Sequence, residues 1–388
     1  MNLLKGIKGD KVIWVIILLL SVLSILVVYS SIGNLAFKYR GGNTFYYLIK
    51  HGTIICLGVV IIYLTHKINY HYFSRLSQIG VFVSIPLLIY AMFWGVKAGE
   101  AGRWIEIPFL GLTFQPSDLA KVSLIIYLSR MLSIKQEILH DFKKGFLPVV
   151  LPVIIICGLI FPTNLSTAVM LFLVSMVIMF VGRAKLLHLL AVLGSGLVFG
   201  GIIVSLVIFA PGIIPRGETW KQRILDFQKG TEKENYQAEM AKTAIGSSNF
   251  LFGKGLGNSD QRSFLPQASS DFIFAMILEQ LGGAIGIIMI FFYIIIFFRA
   301  VRISSRCGKT FGSLVAVGLA FGLVFQAFIN MAVAVNLFPV TGQPLPLISM
   351  GGTSIWFTGI SLGVLLSVSR ETEAGQTENS GDEEKDND

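Results

Sequence analysis

The run Asp271-Phe-Ile-Phe-Ala-Met-Ile-Leu-Glu279-Gln-Leu-Gly-Gly-Ala-Ile-Gly-Ile-Ile-Met-Ile-Phe-Phe-Tyr-Ile-Ile-Ile-Phe-Phe298 decides how this chain folds. Beyond Asp271 it carries a single charge, Glu279, and it is longer than the roughly 20 apolar residues that cross a bilayer as a helix. Just before it stands the polar stretch Leu265-Pro-Gln-Ala-Ser-Ser270. Asp271 therefore sits where a polar loop meets a membrane helix. A carboxylate held in that position is partly desolvated and fixed in direction, which is how a protein makes an Asp into a base.

Working outward, similar blocks recur, among them Val12–Val28 and Leu186–Ala210. The 388 residues are 54% hydrophobic and 14% charged, and mean hydropathy is +0.74. Soluble domains carry about 25% charged residues. The chain reads as an all-α polytopic membrane protein with about ten transmembrane helices, near 12–31, 46–65, 78–97, 117–132, 146–161, 166–182, 186–210, 271–298, 311–335 and 353–369. The fourth to sixth are short, as happens where backbone lines a polar cavity. The first block reads as a retained helix rather than a cleaved leader.

Net charge is +9, but residues 371–388 alone carry −7 and the rest +16. Such a basic body suits anionic lipid head groups. Nucleic acid is not expected as a partner, because the cations are scattered over short loops. Fifteen Lys and Arg fall on the loops that share a side with the N-terminus, against Lys38, Arg40, Lys97 and Arg103 on the other short loops. This bias places both termini in the cytoplasm and a large loop, about 211–270, outside between helices 7 and 8. That loop holds Trp220, Tyr236, Phe250 and Phe264 and is expected to be a partly helical cap. Residues 1–370 are expected to form one membrane domain and 371–388 a disordered acidic tail.

Cys56, Cys157 and Cys307 share no metal-ligand spacing, and the five His residues read as interfacial or loop residues. Charges in or beside the spans are few: Lys50, Arg103, Asp118, Lys121, Asp271 and Glu279. Each must face a cavity or a partner. Asp118 and Lys121 lie three apart on one helical face behind Pro116, which suits a first helical turn. The pair can be structural, or the Lys can bind phosphate beside Arg103. Asp271 can be a plain helix cap, and Glu279 lies about 80° around the helix from it. The stretch Asn336–Thr353 has three prolines and three glycines, so it reads as a re-entrant loop packed into the outer cavity. Gly253-Lys-Gly-Leu-Gly257 is a poor match to a phosphate loop, lacking a preceding strand.

These segments together resemble the SEDS family of membrane glycosyltransferases, over roughly residues 12–370. The marks are Arg103-Trp-Ile with Gln115-Pro-Ser-Asp118-Leu-Ala-Lys121; Tyr236-Gln237 with Ala244-Ile-Gly-Ser; Gly253–Ser259; Leu265-Pro with Asp271-Phe-Ile-Phe-Ala; and Pro339–Ser349 with Gly351-Gly352. Departures exist: Asp118 stands where the family often has Glu, Asn164 where it usually has Asp, and Gln267-Ala-Ser-Ser270 lacks a His.

The resemblance implies polymerisation of lipid II into β-1,4-linked glycan at the outer face of the bacterial cytoplasmic membrane. It implies Asp271 as catalytic base. For the substrate it suggests Arg103, Asp118, Lys121, Arg216, Arg223, Gln237 and Ser349. It implies a class B penicillin-binding protein transpeptidase as partner, along with other divisome proteins. It names no certain cofactor, and a divalent cation is left open. The acidic tail and the wording Gly342–Ser349 favour the division type (FtsW) over the elongation type (RodA), with the sporulation type a further option. A lipid II flippase is the competing reading, since broken helices and intramembrane charges are transporter traits as well.

Overall fold

The structure, a computed structural model, describes residues 8–33, 43–98, 101–107, 112–213, 217–218, 220–221, 234–261, 264–265 and 268–385. In chain order the helices are α1 (Lys11–Ser31), α2 (Thr44–Lys67), α3 (Tyr70–Trp94), α4 (Pro116–Ile134), α5 (Leu147–Ile160), α6 (Leu165–Val181) and α7 (Leu186–Phe209). There follow α8 (Glu234–Gly246), α9 (Ile273–Leu281), α10 (Gly283–Arg306), α11 (Thr310–Ala334) and α12 (Gly352–Lys385). A single π-type turn, Phe142–Phe146, leads into α5. Among the described residues, eight segments are long and apolar enough to cross a membrane, and α4 and α6 add two less apolar or shorter ones.

Local chemistry sets the ends. Asp10 starts α1 by accepting from the amides of Val12 and Ile13 at 3.0 and 3.2 Å. Pro116 opens α4, as its ring geometry favours. α11 lies at the centre, packed by α4, α6, α10 and α12. α2 lies along α12, where Gly58, Gly359 and Gly363 let the two backbones approach. α7 is peripheral: only 6% of its apolar window is buried by protein.

Three features differ from the sequence reading. The expected span 271–298 is two helices. Gly282, at φ +89°, breaks the helix between α9 and α10 in a conformation that Cβ-bearing residues rarely adopt. Residues 96–114 carry a three-stranded antiparallel sheet, β1 (Val96–Ala98), β2 (Ala101–Ile107) and β3 (Leu112–Phe114), within the otherwise helical fold. The tail expected to be disordered continues α12 as far as Lys385, consistent with the high helix propensity of its Glu residues.

One end of the molecule gathers residues 10, 67, 71, 136, 299, 309, 310 and 370. Arg299 pairs with Asp10, Lys309 with His71, Thr310 with Gln136, and Arg370 donates to the carbonyl of Lys67. The N-terminal end of α1 and Arg370 of α12 therefore lie on the same side. At the opposite end sit the sheet, the start of α9 and the loop between α11 and α12. Of the segment 211–270, the described part holds α8 and a series of turns.

Candidate active site

Asp271 lies at this second end, half-buried, two residues before α9 begins. The cap position of α9 is Phe272, so Asp271 is not the helix cap. Its surroundings are held from the backbone. Asn330 of α11 donates from Nδ2 to the Asp271 carbonyl at 2.9 Å and to the Gln343 carbonyl at 2.8 Å. The amide of Met350 donates to the Ser269 carbonyl at 2.9 Å. Ser349 Oγ donates to the Ser270 carbonyl at 2.5 Å and accepts from the amide of Leu345 at 2.7 Å. Gly342, at φ +66°, stands against the carboxylate: a methyl group there would lie 3.6 Å from Asp271 Oδ2. The proline-rich stretch thus packs inside the protein as a re-entrant segment does, and its small residue leaves space at the acid.

A second layer fixes that loop. Tyr293 donates to the Pro346 carbonyl at 2.6 Å, and Gln343 Nε2 donates to Thr167 Oγ1 at 2.6 Å. Ser24 donates to the Ile348 carbonyl at 2.8 Å and contacts His51 Nε2 at 2.8 Å. Because the one proton of Ser24 goes to Ile348, His51 must supply the other, from Nε2. His51 is thus a buried framework residue rather than an interfacial one.

Asp118 and Lys121 meet as the spacing suggested, with Lys121 Nζ 2.8 Å from Asp118 Oδ1. Lys121 also donates to Gln326 Oε1 at 3.3 Å, and Gln326 Nε2 donates to the Pro344 carbonyl at 2.8 Å. The pair and the Asp271 loop therefore belong to one hydrogen-bonded frame. Asp118, Lys121 and Gln326 line a cavity of about 60 Å³ whose remaining walls are mostly apolar, among them Met170, Leu323 and Phe357. Asp118 Oδ2 is buried with no hydrogen-bond partner. Lys121 is thus an offset charge, available to an anion only by exchange with Asp118.

The other expected site residues divide. Arg103, on β2, donates from Nε to the Thr163 carbonyl at 2.7 Å, tying the sheet to the turn before α6. Asn164 caps α6 by accepting from the Thr167 amide at 3.3 Å, a role a neutral amide fills as well as an acid. Ser349, expected at the substrate, has its hydroxyl engaged by the Ser270 carbonyl and the Leu345 amide. Gln237 is half-buried on α8, one turn from buried Ala241 on the helix that packs against α9. Arg216 and Arg223 lie outside the described residues.

Glu279 proves structural. It is fully buried, pairs with Lys254 at 3.3 Å, and accepts from Ser259 Oγ at 2.5 Å and the Asp260 amide at 3.2 Å. The hydrogen bond that Lys254 donates to the Asp260 carboxylate holds the Lys254 pKa above the usual lysine range, which keeps this cation charged beside Glu279. The glycine run wraps the end of α9, where the amides of Lys254 and Gly255 donate to the carbonyls of Glu279 and Gln280 at 2.9 Å each. It serves there as a cap. Among the described residues no three His, Cys, Asp or Glu side chains gather as a metal site.

Sequence reasoning missed Gln326, Asn330 and Gln343. The first two stand one helical turn apart in an otherwise apolar span, a visible sign of a polar-facing stripe.

Residues 10–374 match a family model for FtsW, RodA and SpoVE described as "Cell cycle protein". A relative from Trichlorobacter lovleyi, named "Probable peptidoglycan glycosyltransferase FtsW", is 32% identical over 93% of each chain. "Stage V sporulation protein E" of Bacillus subtilis is 30% identical over 94% of this chain and 98% of its own. The fold resembles a chain from a structure of a peptidoglycan synthase complex that coordinates polymerization and crosslinking. The TM-score is 0.72 at 21% identity, covering 94% of this chain and 98% of that one.

Proposed function

The chain belongs to the FtsW/RodA/SpoVE family, and from that premise we propose that it is a peptidoglycan glycosyltransferase that polymerises lipid II. The observation that carries the reading is the seating of Asp271. Its carbonyl and that of Ser270 are held by Asn330 and Ser349, and Gly342 stands beside its carboxylate. A general base needs this fixed direction together with room for a substrate hydroxyl.

In the reaction, Asp271 accepts the proton of the acceptor sugar's 4-hydroxyl. The oxygen bonds to the donor's anomeric carbon as the bond to the polyprenyl pyrophosphate breaks, which inverts that centre to a β-1,4 link. Negative charge gathers on the departing diphosphate, and nearby cations lower the barrier by offsetting it. Lys121, Arg103, Arg216 and Arg223 are proposed for that role. Exchange of Lys121 from Asp118 to phosphate would link binding of the leaving group to the loop through Gln326. The apolar walls of the cavity suit a lipid chain.

The end bearing Asp271 is proposed to face outward, with the segment 211–270 and both termini placed as the charge bias requires. A class B penicillin-binding protein transpeptidase is the proposed partner. Septal synthesis alongside other divisome proteins is the proposed setting, in keeping with the FtsW-named relatives. The test is glycan chain formation by the purified chain with its transpeptidase, given lipid II already on the accessible side. Polymer is expected. Movement of lipid II between leaflets with no polymer would favour a flippase instead.

A further inference from the structure

Among the described residues outside the spans, the turn Phe250-Leu251-Phe252 is a strongly exposed apolar cluster, its side chains 61%, 58% and 79% exposed. It is not a loose tip. The amide of Leu251 donates to Asn249 Oδ1 at 3.1 Å and that of Gly253 to the Asn249 carbonyl at 3.0 Å. The amide of Ala284, in the first turn of α10, donates to the Phe250 carbonyl at 3.0 Å. The Phe250 ring lies over Gly283, where even a methyl group would come within 2.7 Å of it. Gly253, at φ +59°, then carries the chain against the end of α9.

We propose that this turn is a membrane anchor that inserts its three apolar side chains into the leaflet beside the mouth of α10. Its height is set by the bond to Ala284. From there α10 continues through Ile287, Ile288 and Phe291, which are 44%, 44% and 56% exposed and form the lipid-facing surface of a spanning helix. The turn thus sits within one helical turn of hydrocarbon. At the same end of the molecule, α3 finishes in exposed Tyr90, Phe93 and Trp94, the residue types that collect at a membrane interface.

The chemistry favours acyl chains over a polar partner. Residues 247–253 carry no charge. The nearest cation in sequence, Lys254, is engaged by Asp260 and Glu279 rather than offered to a head group. The following amides clamp Glu279 and Gln280, so the inserted turn gives the end of α9 a foothold in the lipid. This requires only that this end of the bundle meets a bilayer surface, whichever leaflet it is, and so stands apart from the catalytic assignment.

The test places an environment-sensitive dye at Leu251→Cys, and separately at Phe252→Cys, in the full chain with Cys56 and Cys307 replaced by Ser. The protein is reconstituted in phosphatidylethanolamine and phosphatidylglycerol vesicles with or without lipids carrying a shallow doxyl quencher. At both positions a blue-shifted emission is expected, lost to doxyl lipid and resistant to aqueous iodide. Quenching by iodide would place the turn in water and overturn the proposal. Resistance to both quenchers would mean that protein covers the turn, and would overturn it equally.

Discussion

At the scale of single residues, the site is a set of polar groups that spend their hydrogen bonds on one another. Asn330 alone joins α11, the Asp271 carbonyl and the re-entrant loop. Asp118 and Lys121 form a buried pair, and the pair behaves differently from its members. Removing one partner of such a pair strands the other charge and costs about 3–5 kcal/mol, whereas removing both relieves the stranded charge. Lys121→Ala is therefore expected to lower the unfolding temperature in detergent, and Asp118→Ala/Lys121→Ala to regain part of that loss. Polymerisation should stay depressed in both, because the proposed diphosphate contact is gone from both. A double variant that recovered activity along with stability would assign the pair a purely structural role.

The i, i+3 spacing made Asp118 and Lys121 legible before any coordinates. The place of Asp271 just ahead of a helix was legible from the polar stretch that precedes it. The amides Gln326, Asn330 and Gln343 were not, because a census of charges passes over neutral groups whose importance depends on distant carbonyls.

At the scale of elements, most long apolar blocks became helices within a few residues of their expected limits, since block length and bilayer thickness set each other; α3 begins eight residues earlier than expected, and α12 runs on to Lys385. The break in 271–298 escaped because it depends on partners more than twenty residues upstream. Glu279 is tolerated inside the protein only because the turn at 254–260 wraps it, and Gly282 and Gly253 let the two backbones touch. Gly253→Ala places a Cβ at φ +59° against the backbone of Gln280. Left-handed backbone alone costs a Cβ-bearing residue about 1–2 kcal/mol. The variant is expected to unfold at lower temperature and to speed hydrogen exchange at the amides of 254 and 255. Unchanged protection there would mean that the turn does not clamp α9. The small sheet also went unread, since its strands are short and lie between two spans.

At the scale of the whole molecule, the charge bias and the contacts agree on one arrangement. Asp10, Lys67, His71, Arg299 and Arg370 share an end, and Asp271 occupies the other. In a chain with Cys56 and Cys307 replaced by Ser, a membrane-impermeant maleimide added to intact cells is expected to label Asn258→Cys and spare Ser305→Cys. The reverse pattern would invert the orientation and place the acid on the cytoplasmic side. Which segments share an end was readable from Lys and Arg counts because short loops obey a simple electrostatic bias. How the ends pack was not, because side-chain contacts between distant loops leave no periodic trace.

All of this rests on the Asp271 carboxylate as the proton acceptor. Asp271→Asn keeps the size and the backbone contacts of this residue while removing its basicity. The direct measurement is glycan chain length formed from lipid II by purified Asp271→Asn together with its transpeptidase, beside the wild-type protein at matched folding. Loss of polymer with an unchanged unfolding temperature is the expected result; full-length glycan from the variant would contradict the account.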